Sequence, residues 1–331
     1  MRIRTLFGKA LAVAAIPALA LGMSGCAKDE SKAGQDNKDT KTEEKANDAK
    51  GGLEVFATTG YIADAVKNIA PDADVYTMVK PGGDPHTYEP STEDTEKMAS
   101  ADVVLSNGLH MEALMLDQLA ALGDKHLAVG EKALSEADLL PWPEKGPNGE
   151  DLHDPHIWNS PDNWQKVVTV IAEKLGETDS ANADAYKKNA EEFNKKIAAA
   201  KEEAKKKFDS IPEEKRYLVT GHDAFNYLGH TFGLDIEATD FVTSEANMSA
   251  EEINKLAEKI VEHKIKVVFQ DNLKNPQAIN SLKEAVGAKG GNVEVSDQKL
   301  FADSLGDEAP VDTYLGVFEH NANAISEALS K

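Results

Sequence analysis

Cysteine is almost absent: the 331-residue chain has one, Cys26. Everything beyond it folds without a disulfide and offers a metal no thiolate, so stability must come from a buried core and any ligands from His, Asp or Glu. Positive charge is also in deficit, with 36 Lys and Arg against 58 Asp and Glu and a formal charge of −22. That acidity argues against a nucleic-acid partner and would draw cations, although solubility outside the cell explains it as well. The apolar run at residues 10–21 is too short for a stable transmembrane helix. Behind the basic Arg2, Arg4 and Lys9 it suits the h-region of a signal peptide covering residues 1–25. Residues 27–52 hold nothing more apolar than alanine and cannot bury enough surface to fold. They read as a disordered tether with a root-mean-square reach of about 28 Å.

The tripeptide Asp-Pro-His is present twice, as Asp84-Pro85-His86 and Asp154-Pro155-His156. Pro81-Gly82-Gly83 precedes the first copy and the turn signal Pro147-Asn148-Gly149 the second. Proline fixes the backbone ahead of each histidine, and the aspartate two residues back can cap the turn. Either copy alone is most simply a turn that holds a histidine. Together they present two pre-positioned imidazoles on separate loops, which a metal site assembled by tertiary folding requires.

The rest of the chain alternates strand and helix patterns. Residues 53–57, 74–79 and 102–106 read as strands, and 61–69, 92–99 and 112–122 as helices. A second series has strands at 217–220, 266–269 and 292–295 and helices at 224–232, 250–262, 276–286 and 312–329. The rhythm predicts an α/β fold with mostly parallel sheets. Between the series, residues 183–208 form an Ala/Glu/Lys-rich helix with Tyr186, Phe193, Ile197, Ala204 and Phe208 on one stripe. Ser210-Ile211-Pro212 stops it. The expected architecture is two lobes, each a mostly parallel sheet flanked by helices, joined by one long rigid helix. The expected boundaries are residues 53–182, 183–208 and 209–331.

His222 falls just past a strand and at the start of a helix, where open α/β sheets bind ligands. Asp303, in Phe301-Ala302-Asp303-Ser304-Leu305, is the fourth candidate. Three imidazoles and one carboxylate suit a divalent transition metal. His110, His126, His230, His263 and His320 lack ligand spacing, whereas His153 adjoins the second motif and is a candidate outer partner or approach ligand.

The segments around these residues carry a specific resemblance. Gly83-Asp84-Pro85-His86-Thr87-Tyr88-Glu89-Pro90, Asn107-Gly108-Leu109-His110-Met111-Glu112, Asp154-Pro155-His156-Ile157-Trp158, Gly221-His222-Asp223-Ala224-Phe225-Asn226-Tyr227-Leu228 and Asp303-Ser304-Leu305 occur in order. This series resembles the zinc/manganese-binding solute-receptor lipoproteins of bacterial metal ABC importers. Met23-Ser24-Gly25-Cys26 likewise resembles a lipobox, which implies that Cys26 is lipidated and anchors the protein on the extracytoplasmic face of the cell membrane. The resemblance implies His86, His156, His222 and Asp303 as metal ligands, Zn²⁺ or Mn²⁺ as the transported ion, an ABC permease as partner, and a monomer without enzymatic activity. The chain departs from the family at Asn247-Met248-Ser249, where Glu-Pro-Ser is usual, and at Gln270, where Glu is usual.

Manganese receptors of the family often carry Glu at the position of His222, so histidine there points to zinc. Many zinc receptors, however, carry a long His-rich loop where residues 143–152 are short and acidic. Zinc is favoured, with manganese close. The rival readings are a metal-dependent hydrolase, with Glu89 or Asp223 as base, and a surface adhesin stabilised by a structural metal. Four protein ligands and no HExxH motif weigh against the hydrolase.

Overall fold

The protein is described by a computed structural model covering residues 52–146, 148–240, 248–272 and 276–331. The expected signal peptide, Cys26 and all but the last residue of the tether lie outside the described residues, as do Pro147 and Asn247.

The first lobe is built on β1 (Glu54–Ala57), β2 (Asp74–Thr77), β3 (Val103–Ser106) and β4 (His126–Ala128), in the order β2-β1-β3-β4. All pairs are parallel, with Val55 opposite both Val75 and Val103 and Leu105 opposite Leu127. Helices cover both faces, so the central strands are buried: every residue of β3 is inside. One cover is α1 (Gly60–Ile69), whose N-cap Thr59 accepts from the Ile62 amide and whose Tyr61, Ile62, Ala65, Val66 and Ile69 face the core. Further cover comes from α2 (Thr92–Ser100), which opens on a Ser91/Asp94 capping box, and from the short α3 (Leu116–Ala120) and α4 (Val129–Ala133).

A hairpin of β5 (Pro141–Lys145) and β6 (Asp151–His153) leads into the second Asp-Pro-His. Helix α5 (Pro161–Thr178) follows, with Ser160 as N-cap, Pro161 in the first turn, and Trp164, Val167, Val168, Ile171 and Leu175 buried.

Helix α6 (Ala183–Asp209) is about 40 Å long. Its stripe is buried throughout and divides between two cores: Tyr186, Ala190, Phe193 and Ile197 pack with α1 and α5 residues, whereas Ala204 and Phe208 pack with Leu218, Phe225 and Phe232. One element therefore carries side chains of both lobes, and each large apolar residue inserted contributes about 1.5–3 kcal/mol.

The second lobe holds β7 (Tyr217–His222), α7 (Asn226–Phe232), β8 (Asp235–Asp240), α8 (Ala250–Glu262), β9 (Val267–Val268), α9 (Pro276–Ala288), β10 (Glu294–Val295) and α10 (Tyr314–Leu329). β7 pairs in parallel with β8, and β9 with β10. A parallel bridge of Thr220 to Phe269 links the pairs, giving β8-β7-β9-β10. This repeats the first lobe's order, with the second strand outside the first. Asp64 of α1 reaches across to α10, its buried carboxylate accepting the Tyr314 amide at 3.1 Å. No helix among the described residues is long and apolar enough to cross a membrane.

Several elements differ from expectation. Residues 112–122 do not form one helix: Glu112 turns its carboxylate back onto the preceding loop, leaving a 3₁₀ turn and the short α3. Helix α7 begins at Asn226 rather than 224, because Ala224 and Phe225 complete the loop after His222.

Candidate metal centre

Each copy of Asp-Pro-His is wound by its own aspartate. Asp84 Oδ1 accepts the His86 amide at 2.9 Å and Asp84 Oδ2 the Thr87 hydroxyl at 3.0 Å. Asp154 Oδ1 accepts the His156 amide at 2.9 Å and also faces its ring Nδ1 at 2.7 Å. In the neutral ring that second contact puts the proton on Nδ1 and leaves the Nε2 lone pair free. The two tripeptides thus share a turn and differ at the imidazole.

His222 is the last residue of β7, at the carboxyl end of a central strand. Asp303 lies on the connection from β10 to α10. Its neighbour Ala302 donates its amide to Asn272 Oδ1 (3.0 Å) and accepts at its carbonyl from Tyr61 Oη (2.9 Å) and Trp158 Nε1 (3.0 Å). The Ser304 hydroxyl oxygen accepts from the Gly82 amide at 3.0 Å. First-lobe groups therefore set the second-lobe loop.

The structure brings His86, His156, His222 and Asp303 together: one donor atom from each lies within 4.8 Å of the others, and all four residues are buried. His86 Nε2 is 3.2 Å from His156 Nε2. The Asp303 carboxylate is 3.5 Å from His86 Nε2, 3.4 Å from His156 Nε2 and 2.9 Å from His222 Nε2. Ligands about 2.0–2.1 Å from a tetrahedral ion stand about 3.3 Å apart, so the spacings of 3.2, 3.4 and 3.5 Å are of that size and the 2.9 Å approach of His222 is closer. Both carboxylate oxygens of Asp303 are buried, and what faces them is imidazole nitrogen.

Electrostatics agree with a cation site. Burial, helped by the neighbouring His156 and His222 rings and opposed by Asp303, pushes the pKa of His86 down to about 3. Burial alone would raise that of Asp303, but His222, His156 and His86 outweigh it and hold the carboxyl below its ordinary range. At neutral pH the cluster presents an ionised carboxylate and a neutral His86, so no proton need leave His86 for a cation to bind.

The remaining sequence candidates lie elsewhere. His153 Nε2 faces the exposed Glu136 carboxylate at 3.3 Å, and His110 Nε2 faces Glu150 at 3.9 Å. His126 meets the Ser106 hydroxyl at 2.7 Å, the His263 ring lies tilted against Tyr217, His320 contacts the Lys299 carbonyl at 2.8 Å, and His230 is exposed. Glu89 is exposed, and Asp223 Oδ1 accepts from Asn226 at 2.9 Å.

Sequence reasoning did not anticipate Glu112 as an organiser of the site's support. Its buried carboxylate accepts the Thr58 hydroxyl (2.6 Å) and the amides of Asn107 (2.7 Å) and Gly108 (3.0 Å). Asn107 in turn donates to the Pro155 carbonyl at 2.9 Å, bracing the turn that carries His156. Gly108 is required there: its φ is +75°, and a Cβ would meet Glu131 Oε2 at 1.7 Å. The signal available in the sequence was Glu112 itself, an acid that the expected helix would have left on its surface.

A two-lobed α/β fold around a buried imidazole–carboxylate cluster defines the class of metal-binding solute-binding proteins. The chain belongs to the family of the periplasmic zinc-uptake complex component A, which matches residues 55–328. It is 35% identical over 280 residues to the manganese-binding lipoprotein MntA of Bacillus subtilis, covering 84% of this chain and 90% of that protein. It is 31% identical over 284 residues to the metal ABC transporter substrate-binding lipoprotein SsaB of Streptococcus sanguinis, covering 84% and 90%. The solved structure of the periplasmic zinc-binding protein TroA from Treponema pallidum superposes with a TM-score of 0.79 at 30% identity, covering 85% of this chain and all of that one. The chain is accordingly a metal-binding substrate-binding protein of an ABC metal transporter and not an enzyme.

Proposed function

We propose that this protein binds one divalent transition-metal ion, zinc in preference to manganese, with His86, His156, His222 and Asp303 as its ligands, and hands the ion to the permease of an ABC importer. The observation that carries the reading is the convergence of three imidazole nitrogens and one carboxylate within 4.8 Å of one another in a buried cluster. A closed set of four protein ligands suits capture and release better than catalysis, which keeps a position open for water. The nitrogen-rich set supports zinc, because an N₃O site binds Zn²⁺ more tightly than Mn²⁺ in the Irving–Williams order. The likeness to a protein described as manganese-binding supports the second reading, that manganese is the ion carried in the cell.

Lipidation of Cys26 would hold a monomer on the extracytoplasmic face, with residues 27–52 as the tether. The test is elemental analysis of protein isolated from its own envelope under metal-limited growth, followed by chelation. Zinc at one ion per chain, removable without unfolding, fits a receptor. One manganese supports the second reading, and a metal that cannot be removed without unfolding supports a structural role.

A further inference from the structure

Behind the four proposed ligands lies an arrangement that none of them explains. Asn226, the first residue of α7, donates one side-chain N–H to Asp154 Oδ2 at 3.1 Å and the other to Asp223 Oδ1 at 2.9 Å. Asp154 comes from the first lobe and is fully buried. Its other oxygen faces His156 Nδ1 and accepts the His156 amide. Asp223 directly follows His222 in the second lobe. A single neutral amide thus joins the residue that orients one imidazole to the residue adjoining another. Three further bonds run beside it: the Tyr227 hydroxyl donates to the Asp154 carbonyl at 2.9 Å while accepting the Leu140 amide at 3.1 Å, and Asn159 donates to the Ala224 carbonyl at 2.7 Å.

We propose that Asn226 is a positioning residue that clamps Asp154 of one lobe to Asp223 of the other, so that His156 and His222 are set at their mutual spacing before the ion arrives. This rests on the reading that the quartet binds a metal ion. Asparagine suits the position because its NH₂ has two donors and no charge. Two carboxyl groups converge on it, and without the shared donor an oxygen of each would lose its hydrogen-bond partner. A preformed site avoids ordering its loops during binding, and the part of the affinity owed to that order is lost when the binding-competent form is only fractionally populated. Outer partners of metal ligands are worth about ten- to a hundredfold in affinity.

The experiment compares wild type with Asn226→Ala and Asn226→Leu, the second keeping most of the side-chain volume while offering no donor. Zn²⁺ affinity is measured by competition with a chelating dye. Hydrogen exchange is followed at residues 152–158 and 221–225 with and without saturating Zn²⁺. Both variants should bind Zn²⁺ about tenfold more weakly, the low end of what an outer partner is worth, since Asn226 acts on His156 through Asp154. Exchange in the two segments should quicken in the metal-free protein only, with zinc-saturated protection equal to wild type. A purely structural role would quicken exchange in both states, and that result overturns the proposal. So does a Zn²⁺ affinity within about threefold of wild type in whichever variant folds. If wild type itself fails to bind Zn²⁺ or Mn²⁺, the metal-receptor reading falls instead, so the two failures are distinguishable.

Discussion

His222→Ala removes the proposed ligand whose nitrogen approaches Asp303 most closely, 2.9 Å from Oδ2. A ligand bound only by the folded state stabilises it by RT ln(1 + [L]/Kd), about 4 kcal/mol when free Zn²⁺ is a thousand times Kd. An outer partner of a metal ligand is worth up to about a hundredfold in affinity, and a ligand itself should be worth at least that. The variant at the same free Zn²⁺ would keep about 1.4 kcal/mol and lose about 2.7 kcal/mol. At about 2 °C per kcal/mol for a chain of this size, the zinc-induced rise in Tm should shrink by about 5 °C. The substitution also empties a buried volume, so the metal-free variant will melt lower than wild type for packing reasons alone. The quantity to compare is therefore the shift on adding Zn²⁺ within each protein, read by differential scanning calorimetry in metal-buffered solution. A shift in His222→Ala equal to that of wild type would refute the assignment of this imidazole to the ion.

Asp64→Asn tests the cross-lobe contact to α10. Burial pushes the Asp64 pKa up to about 6, so the folded state holds a proton that the unfolded chain has released, and wild-type stability falls as pH rises between about 4 and 6. Asparagine keeps an acceptor for the Tyr314 amide without the charge, and the metal-free variant should gain about 2–3 kcal/mol on wild type between pH 4 and pH 7.5 in urea unfolding. A difference that does not change with pH would sink that reading. His222→Glu exchanges an imidazole for a hard carboxylate and should lower Zn²⁺ affinity relative to Mn²⁺ in competition titrations; an unchanged ratio would remove the hardness argument for zinc. Cys26→Ala should leave the chain uncleaved or released from membranes on fractionation, whereas a mature-sized variant retained like wild type would count against lipidation.

Local chemistry made much of this protein legible. Helix α8 runs over Ala250–Glu262 as its pattern predicts, because Ser249 and Glu252 close a capping box and the apolar residues keep helical spacing. The stripe of α6 was readable for the same reason, and the Asp-Pro-His turns because their aspartates act within three residues. Helix α5 carried equal evidence, with Ser160, Pro161 and an apolar face from Trp164 to Leu175, yet it is missing from the expected elements; its signal was present and unread.

Other misses had no local signal. β5 contains Pro141 and Pro143, which argue against a strand until β6 is there to pair with it. β8 mixes acidic with apolar residues in Asp-Ile-Glu-Ala-Thr-Asp, which lowers its strand propensity, so its pairing depends on β7. Glu112 and Asn226 each make local bonds as well, but the contacts by which they tie distant segments, to Thr58 for the first and Asp154 for the second, had no signal near them in the sequence. The identity of the four clustered residues was thus visible in the chain, whereas the groups that hold them in place became visible only in the fold.

The central claim is that His86, His156, His222 and Asp303 surround the transported ion. X-ray absorption at the zinc edge of the loaded protein tests it most directly. The predicted shell has three imidazole nitrogens and one carboxylate oxygen at about 2.0–2.1 Å, and His222→Ala should lose one imidazole from it. A shell made mainly of oxygen, or one that is unchanged in His222→Ala, would contradict the account.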